Sequence, residues 1–416
     1  MSILTRGLKA LCSLCILLPI SLMANHKPQE IIIFGDSVSD TGVLKPLAFP
    51  LDRANIRNIP MNGLFSNGKQ WIEFLAESLN LGAYAQPWTN AYPNGDASRD
   101  AVSAFGKRKV GPRDLKAANY AMGGARALNS SILLDLREQV SEHLKRLKSN
   151  HHSLITSKEK SLYVVAIGTN DLLNILDDVR KNPKFCPRHN PQFPLRCSPI
   201  DDNVTETILK TYKKSIDKLV NTISKNIARL YQSSQARRFL VLSAINLPQT
   251  PQIISYGLET QSKILTEYFN QSLSEDMLFF SEKPQKFLSR FLDDSSSSSQ
   301  DITVQWLDHV DIWNHVFSNR DFYQIPNSFT ASASCRWSLR LAALKKPASY
   351  CDANFPAADL RINLYGFLDG LHFTTPIHYL TSHFAALLLE KGKFELNLDG
   401  ALQEKTPDRI SVFFPK

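Results

Sequence analysis

The sequence lacks a dense run of basic residues, although cations outnumber anions. Its 416 residues include 48 Lys and Arg against 39 Asp and Glu, a formal net charge of +9. The cationic residues are scattered, and no aromatic residues alternate with them in a basic patch. A nucleic-acid partner is therefore not expected, because nucleic-acid sites concentrate positive charge. A weak attraction to anionic membrane surfaces is compatible with this charge.

The sequence also lacks an apolar run of comfortable membrane-spanning length at its start. The apolar stretch at 10–22 follows Arg6 and Lys9, whereas a transmembrane helix needs about 20 apolar residues. A basic start, a short apolar core and a small residue at its end are typical of an export signal. We interpret residues 1–24 as a signal peptide rather than a membrane anchor. Residues 25–416 are then predicted to form a single secreted domain, extracellular or periplasmic.

Cysteine is scarce, with six residues in the chain. Two lie in the apolar N-terminal stretch, and the others are Cys186, Cys197, Cys335 and Cys351. An even number in an exported protein predicts two disulfides. Three connectivities are open, and pairing of neighbours, Cys186 with Cys197 and Cys335 with Cys351, is the simplest. The spacing of Cys186, His189 and Cys197 matches no common zinc pattern, so no metal is expected.

Buried strands and amphipathic helices alternate along the chain. The apolar, β-branched runs that predict strands are Ile31–Phe34, Ser161–Ile167, Phe239–Ala244 and Ile302–Leu307. The stretches with helical periodicity lie at 132–147, 208–230, 260–292 and 379–389. This alternation predicts an α/β fold with a mainly parallel central sheet. Parallel strands bring their carboxyl ends to one edge, where such folds bind ligands.

Three stretches interrupt the alternation and are predicted to be loop insertions. The segment 82–114 is rich in Gly, Pro, Asn and Tyr, and 182–203 carries several prolines and two cysteines. The segment 311–362 has few periodic features. Separately, apolar residues at helical spacing predict a short helix from Trp71, with Ser66 or Asn67 as its N-cap.

The first strand runs into Gly35-Asp36-Ser37. Gly35 allows a sharp turn as the chain leaves the sheet, which would place Ser37 at the ligand-binding edge. A serine at this position is a candidate nucleophile. The residues alone fit an ordinary helix cap after a strand equally well.

Polar residues follow other predicted strands in the same way. Asn170 comes just after the second strand, and the pair Gly123-Gly124 follows a short predicted strand at Asn119. An Asn side chain or a backbone N–H at such a turn can stabilise an oxyanion. Near the C-terminus, Asp369 precedes His372 by three residues, so its carboxylate can orient the imidazole. Each signal is weak alone, but together they provide the groups that acyl transfer requires.

These four blocks, in this order, resemble the GDSL, or SGNH, family of serine esterases and lipases. The matching segments are Ile33-Phe34-Gly35-Asp36-Ser37-Val38-Ser39-Asp40-Thr41-Gly42, Asn119-Tyr120-Ala121-Met122-Gly123-Gly124-Ala125, Gly168-Thr169-Asn170-Asp171 and Asp369-Gly370-Leu371-His372. Val38 stands where the name-giving Leu usually stands. Phe65-Ser66-Asn67-Gly68 resembles a stretch common in longer members. The resemblance implies a three-layer α/β/α SGNH-hydrolase fold over roughly residues 30–390.

The resemblance also implies a role for each matching residue. It makes Ser37 the nucleophile, His372 the base and Asp369 its partner, with the Ser37 N–H, the Gly124 N–H and the Asn170 side chain forming the oxyanion hole. Gly123 competes with Gly124 for the second donor. Asp369 is less critical if a backbone carbonyl orients the imidazole. No cofactor is implied.

Among family members, the exported form with loop cysteines is most similar to bacterial phospholipases and glycerophospholipid:cholesterol acyltransferases. This similarity implies a phospholipase A or lysophospholipase A acting at a membrane surface, with acyl transfer to an alcohol such as cholesterol as a further activity. The alternatives are a carbohydrate or small-ester esterase, and a non-catalytic surface-binding protein on the same fold. The 186–197 loop carries basic residues in a proline-rich segment, so it is a candidate site for an activating protease. It could equally be a simple loop staple.

Overall fold

The computed structural model is built around a four-stranded parallel sheet. Its strands are β1 (Glu30–Gly35), β2 (Ser161–Ala166), β3 (Arg238–Leu242) and β4 (Thr303–Leu307). They lie side by side in the order β1-β2-β3-β4, and each neighbouring pair is parallel. Every residue of β1 and β2 is buried, as expected for strands covered on both faces.

The structure describes residues 27–43, 65–82, 119–128, 134–148, 160–188, 196–292, 302–328, 330–334, 363, 365–398 and 410–414. Several predictions fall outside them and stay predictions: the signal peptide at 1–24, nearly all of the 82–114 insertion, and the pair Cys335 and Cys351.

Helices cover the sheet in two groups. The helices are α1 (Trp71–Ser78), α2 (Leu136–Lys148), α3 (Thr169–Lys181), α4 (Asp202–Ser234), α5 (Pro251–Tyr256), α6 (Glu259–Glu282), α7 (Pro284–Leu288), α8 (His309–Ser318) and α9 (Thr375–Lys391), with 3₁₀ turns at Leu247–Gln249 and Ile410–Phe413. Helix α4 packs on α2 and α6, while α9 packs on α1 and α8. Both α6 and α9 contact β4, so the two groups flank the sheet as the predicted three-layer fold requires.

None of the helices in the described ranges combines the length and the apolar character that crossing a membrane would need.

The register of the sheet sets the position of Ser37. Gly35 lies opposite Ala166, the last residues of β1 and β2, and the Asp36 N–H donates to the Ala166 carbonyl at 3.3 Å. A Cβ on Gly35 would lie 2.5 Å from that carbonyl oxygen, so a larger residue does not fit at this turn. Ser37 therefore leaves the sheet beside the end of β2.

The segment after Asn119 lines the outer edge of β1. We predicted a short strand here, but the structure has only an isolated parallel bridge between Ile33 and Asn119. Backbone N–H groups of Tyr120 and Met122 donate to the carbonyls of Ile33 and Gly35 at 2.8 and 3.1 Å. The edge of the sheet is thus paired, and the Gly-Gly turn that follows is fixed to the strand that carries Ser37.

The predicted N-cap of α1 is wrong. The helix begins at Trp71 with Gln70 as its N-cap, not Ser66 or Asn67. The Gln70 N–H donates to the Glu73 carboxylate at 2.8 Å, which satisfies one of the backbone groups that a helix start leaves without a partner. Asn67 instead makes contacts with a distant part of the chain.

The predicted loop at 311–362 also needs correction, and the predicted helical stretch at 260–292 is confirmed with one interruption. Residues 311–318 belong to α8, whose N-cap Asp308 accepts from the Val310 N–H at 2.7 Å. The 260–292 stretch is two helices, because Pro284 has no N–H to continue α6.

A second, two-stranded sheet carries the C-terminal polar block. Strand β5 (Thr330–Ser334) pairs in parallel with β6 (Tyr365–Phe367). Beyond β6, the Leu368 N–H donates to the His372 carbonyl at 2.7 Å, and Phe367 bridges to Phe373. The loop Asp369–His372 is therefore a closed turn between β6 and α9.

A disulfide joins Cys186 to Cys197, with Cα atoms 4.7 Å apart. This is one of the two neighbour pairs that the sequence suggests. The Cys197 N–H donates to the Tyr256 carbonyl at 2.7 Å, so the disulfide is anchored to the end of α5. With both thiols in this bond, neither is available as a zinc ligand.

Candidate active site

Ser37, His372 and Asp369 form a hydrogen-bonded chain at the carboxyl edge of the main sheet. The Ser37 Oγ lies 3.0 Å from His372 Nε2, and His372 Nδ1 lies 2.8 Å from Asp369 Oδ2. The remaining oxygen of Asp369 accepts from the backbone N–H groups of Leu371 and His372, at 2.8 and 2.9 Å. The carboxylate thus fixes both the loop and the imidazole. This geometry suits a serine that is deprotonated by a histidine.

The turn at Ser37 is held by side chains from distant elements. Gln139 on α2 accepts from the Gly35 N–H and donates to the Gly35 carbonyl, both at 2.9 Å. Gln139 is fully buried, so these bonds are shielded from water. Gln70 Nε2 donates to the Ser37 carbonyl at 3.2 Å. The backbone on both sides of Asp36 is consequently fixed before any substrate binds.

Asp40 joins the serine turn to the Gly-Gly turn. One of its oxygens accepts from the N–H groups of Gly42 and Val43, at 2.8 and 2.6 Å. The other accepts from the Gly123 N–H at 2.7 Å. Gly123 therefore already has an acceptor for its N–H. Its neighbour Gly124 adopts a positive φ of 78°.

The Gly-Gly turn is also bound to the start of α3. The Asn170 Nδ2 donates to the Ala125 carbonyl at 3.0 Å. The neighbouring carboxylate of Asp171 accepts from the N–H groups of Ala127 and Leu128, at 2.8 and 3.0 Å. These bonds bring the Gly124 and Asn170 blocks together, at a helix N-terminus whose dipole favours negative charge.

Burial and neighbouring charges set the protonation behaviour of the site. Burial would lower the pKa of His372, but the Asp369 carboxylate, with a smaller contribution from Asp36, raises it above the usual value. Burial would raise the pKa of Asp369, but His372 and the backbone donors bring it below the usual value. The pair thus favours the ion pair of imidazolium and carboxylate, which is the state that proton transfer from a serine creates.

Asp36 is the second acidic group near the imidazole, after Asp369. Burial raises the pKa of Asp36 to about 7, against the opposing effects of the Val38 N–H and of His372. Its Oδ1 accepts from the Val38 N–H at 3.1 Å. Asp36 thus adds negative potential at His372 only when it is ionised.

Residues 31–381 match the family model of the GDSL-like lipase/acylhydrolases. This match covers most of the 416 residues. The chain belongs to the GDSL-like lipase/acylhydrolase family.

Curated relatives include GDSL esterase/lipase proteins of Arabidopsis thaliana. One is 26% identical over 271 residues, which cover 60% of this chain and 61% of the relative. Another is 29% identical over 164 residues, covering 34% of this chain and 38% of the relative. A third is 34% identical over 115 residues, covering 26% and 25%. The chain therefore matches less than two thirds of the length of each of these relatives.

The GDSL-like fold brings all four sequence blocks to one edge. It adds Gln139 and Gln70, which we did not single out, and Asn67, which we predicted only as a helix cap. Gln139, Gln70 and Asn67 hold the site, but their contacts depend on the tertiary fold. Gln139 lies on the buried face of α2. The sequence could have indicated it in one way, as a polar residue at a helix position where an apolar residue is expected. Within the described residues, no group of three or more His, Cys, Asp or Glu side chains is arranged to bind a metal ion.

Proposed function

We propose that this protein is a serine acyl hydrolase that acts on lipid esters through an acyl-enzyme on Ser37. The observation that carries the proposal is the 3.0 Å contact between Ser37 Oγ and His372 Nε2, with Asp369 on the other ring nitrogen. Family membership supports it, since the matching model describes lipases and acylhydrolases.

In this mechanism His372 takes the proton of Ser37 as the serine oxygen attacks the ester carbonyl. The oxyanion is stabilised by the Ser37 N–H, the Gly124 N–H and the Asn170 amide. Because Gly123 already donates to Asp40, Gly124 is the better placed donor of the two. His372 then returns the proton to the leaving alcohol. Water, or a second alcohol deprotonated by His372, releases the acyl group from Ser37.

The substrates we propose are phospholipids or lysophospholipids at a membrane surface. The activity would then be that of a phospholipase A or a lysophospholipase A. The Phe65 ring, whose centroid lies 4.7 Å from that of His372, supports an apolar acyl chain. The aromatic residues in the sequence of the 82–114 and 319–362 segments support it as well. Acyl transfer to a sterol such as cholesterol would need a site that disfavours water. Export of the protein would bring it to a membrane surface that carries these phospholipids.

A small-ester or carbohydrate esterase is the second candidate. Ser37 is only 4% exposed, and a nucleophile with so little access suits a small acyl group as well as a flexible chain. Rates on acetyl, long-chain and phospholipid esters distinguish the two, because a lipid enzyme should prefer the long chains.

We also propose the 186–197 loop as a site for an activating protease. The disulfide would hold the cut ends together. The Cys197 N–H bond to Tyr256, and the Gln252 N–H bond to the Gly370 carbonyl at 2.9 Å, connect the disulfide through α5 to the loop that carries His372. Defined cleavage in the loop should raise activity on lipid. Equal activity before and after cleavage would reject this proposal.

Product analysis on mixed phospholipid vesicles, with and without cholesterol, tests the proposed substrate class. We expect free fatty acid in both cases and cholesteryl ester when cholesterol is present. Ser37→Ala should abolish both products, whereas Ser289→Ala, at an exposed serine on α7's C-terminal cap, should not. An active Ser37→Ala protein would overturn the mechanism. Activity on acetyl esters alone would favour the second candidate.

A further inference from the structure

The segment from Phe65 to Gln70 contacts both the serine turn and the loop that carries His372. Gln70 Nε2 donates to the Ser37 carbonyl at 3.2 Å. The Phe65 ring is tilted by 39° against the His372 imidazole. Phe65 and Gln70 are both buried, and Gln70 is the N-cap from which α1 starts. The two partners of the proposed proton transfer therefore share one supporting segment.

Asn67 binds both ends of the loop that carries His372. Its Oδ1 accepts from the backbone N–H and the hydroxyl of Thr375, the first residue of α9, at 2.9 and 3.0 Å. Its Nδ2 donates to the Asn363 Oδ1 at 2.8 Å, just ahead of β6. The β6 strand enters the loop and α9 leaves it, so one amide side chain connects the entrance of the loop to its exit.

The chemistry of this connection requires an amide. A carboxylate at position 67 could still accept from Thr375, but it could not donate to Asn363. The Asn363 amide cannot simply turn over, because its own Nδ2 donates to the Phe413 carbonyl at 2.6 Å. Asn67 thus needs its donor and its acceptor at once.

Gly68 leaves the space that this connection needs. A Cβ on Gly68 would lie 2.5 Å from the Thr375 Oγ1, and 3.4 and 3.5 Å from its Cγ2 and Cβ. Only the hydroxyl would be in severe conflict. A methyl group at position 68 would therefore push on the first residue of α9, next to the loop of His372.

We infer that the 65–70 segment is a positioning element for catalysis, in which Asn67 holds His372 at proton-transfer distance from Ser37. The inference rests on the roles proposed above for these two residues. Asn67 touches no reacting atom, so it is a positioning residue. A displacement of about 1 Å at a catalytic group can cost about 100-fold in rate.

A compensating pair of substitutions tests the inference. Gly68→Ala should lower kcat on p-nitrophenyl butyrate by about 100-fold with little change in KM, because it displaces Thr375. Thr375→Ala keeps the backbone bond to Asn67 and should cost only a few-fold. The double variant Gly68→Ala/Thr375→Ala removes the conflicting hydroxyl, so it should recover the kcat of Thr375→Ala. Asn67→Asp should lower kcat like Gly68→Ala while the melting temperature stays close to native.

The control is Glu206→Ala on α4, which breaks an exposed ion pair with Lys210 far along the chain from the 65–70 segment and should leave kcat unchanged. Second-order rates of Ser37 labelling by a fluorophosphonate, measured on the same proteins, separate two kinds of failure. A native protein that is not labelled at Ser37 would reject the proposed function. Two results would overturn only the positioning role, provided that the wild-type protein is labelled at Ser37. In the first, Gly68→Ala and Asn67→Asp have the labelling rate and kcat of the wild-type protein. In the second, the double variant is as slow as Gly68→Ala.

Discussion

Replacing Asp369 by Asn should inactivate the protein without disturbing its fold. Asp369 Oδ1 accepts from two backbone N–H groups, those of Leu371 and His372. In Asp369→Asn the amide oxygen must keep this position, because an NH₂ group cannot accept these bonds. The NH₂ group is then forced to face His372 Nδ1, where the carboxylate lay at 2.8 Å.

The consequence is the wrong tautomer of His372. An NH₂ donor at Nδ1 moves the imidazole proton to Nε2, so Nε2 can no longer accept the proton of Ser37. The substitution Asp369→Asn also removes the negative charge that raises the pKa of His372. A tautomer error of this kind costs roughly 10⁴-fold in kcat, equivalent to about 5.4 kcal/mol of activation free energy.

Steady-state kinetics on p-nitrophenyl butyrate, corrected for the folded fraction by near-UV circular dichroism, measures the effect. Asp177→Asn is the matched control, since it neutralises a partly exposed aspartate paired with Lys181 on α3. If Asp369→Asn stays within 10-fold of the native kcat, the carboxylate does not set the tautomer, and the role assigned to it is wrong.

The other predictions concern Asn170, a buried carboxyl group and the disulfide. Asn170→Ala removes one proposed oxyanion donor and should lower kcat by about 100- to 1000-fold with KM nearly constant; an unchanged kcat would exclude Asn170 from the oxyanion hole. Burial raises the pKa of Glu30 from 4.5 to about 7, so its stabilising effect is complete below pH 4.5 and is lost as the pH rises through 7. Urea unfolding should then show native stability falling by up to about 1.4 kcal/mol per pH unit between pH 5 and 7, and Glu30→Gln should flatten this slope; equal slopes would refute the burial argument. Replacing Cys186 and Cys197 by Ser opens a loop with a sequence separation of 11 and should destabilise the protein by about 3 kcal/mol, seen as a lower urea midpoint; an unchanged midpoint would contradict this.

The sheet and the meeting of the four polar blocks could be predicted because both depend on short-range signals. Strands such as Ile31–Phe34 are continuous apolar runs, and their parallel alternation with helices fixes which ends meet. Glycines that permit sharp turns, Gly35 above all, mark the points where the chain leaves the sheet and where the polar residues of the site follow. The order of the blocks then favoured interpreting Ser37 as a nucleophile over an ordinary helix cap.

Helix α8 shows where local reasoning was too weak. A helix is indicated by the N-cap Asp308 and by the spacing of the buried residues Ile312, Trp313 and Val316. The residues that follow α8 lack periodicity, and they obscured this pattern within the longer 311–362 stretch. Likewise, the hydrophobic periodicity continues through Pro284, but this proline separates two helices.

The supporting contacts of the site could not be predicted from the sequence. Gln139 and Gly35 are 104 residues apart, and Asn67 and Thr375 are 308 apart. Asn67 looked like a helix cap because Asn commonly has that role, and the structure uses the same capacity at the start of α9, a different helix. Only the tertiary fold decides which helix a capping side chain reaches.

The most direct test of the central claim is covalent labelling of the native protein with a fluorophosphonate, followed by peptide mapping. We predict one labelled site at Ser37, with labelling abolished in His372→Ala and retained in Ser289→Ala. No labelling, or labelling at another serine, would contradict the assignment of Ser37 as the nucleophile and would favour a non-catalytic binding protein on this fold.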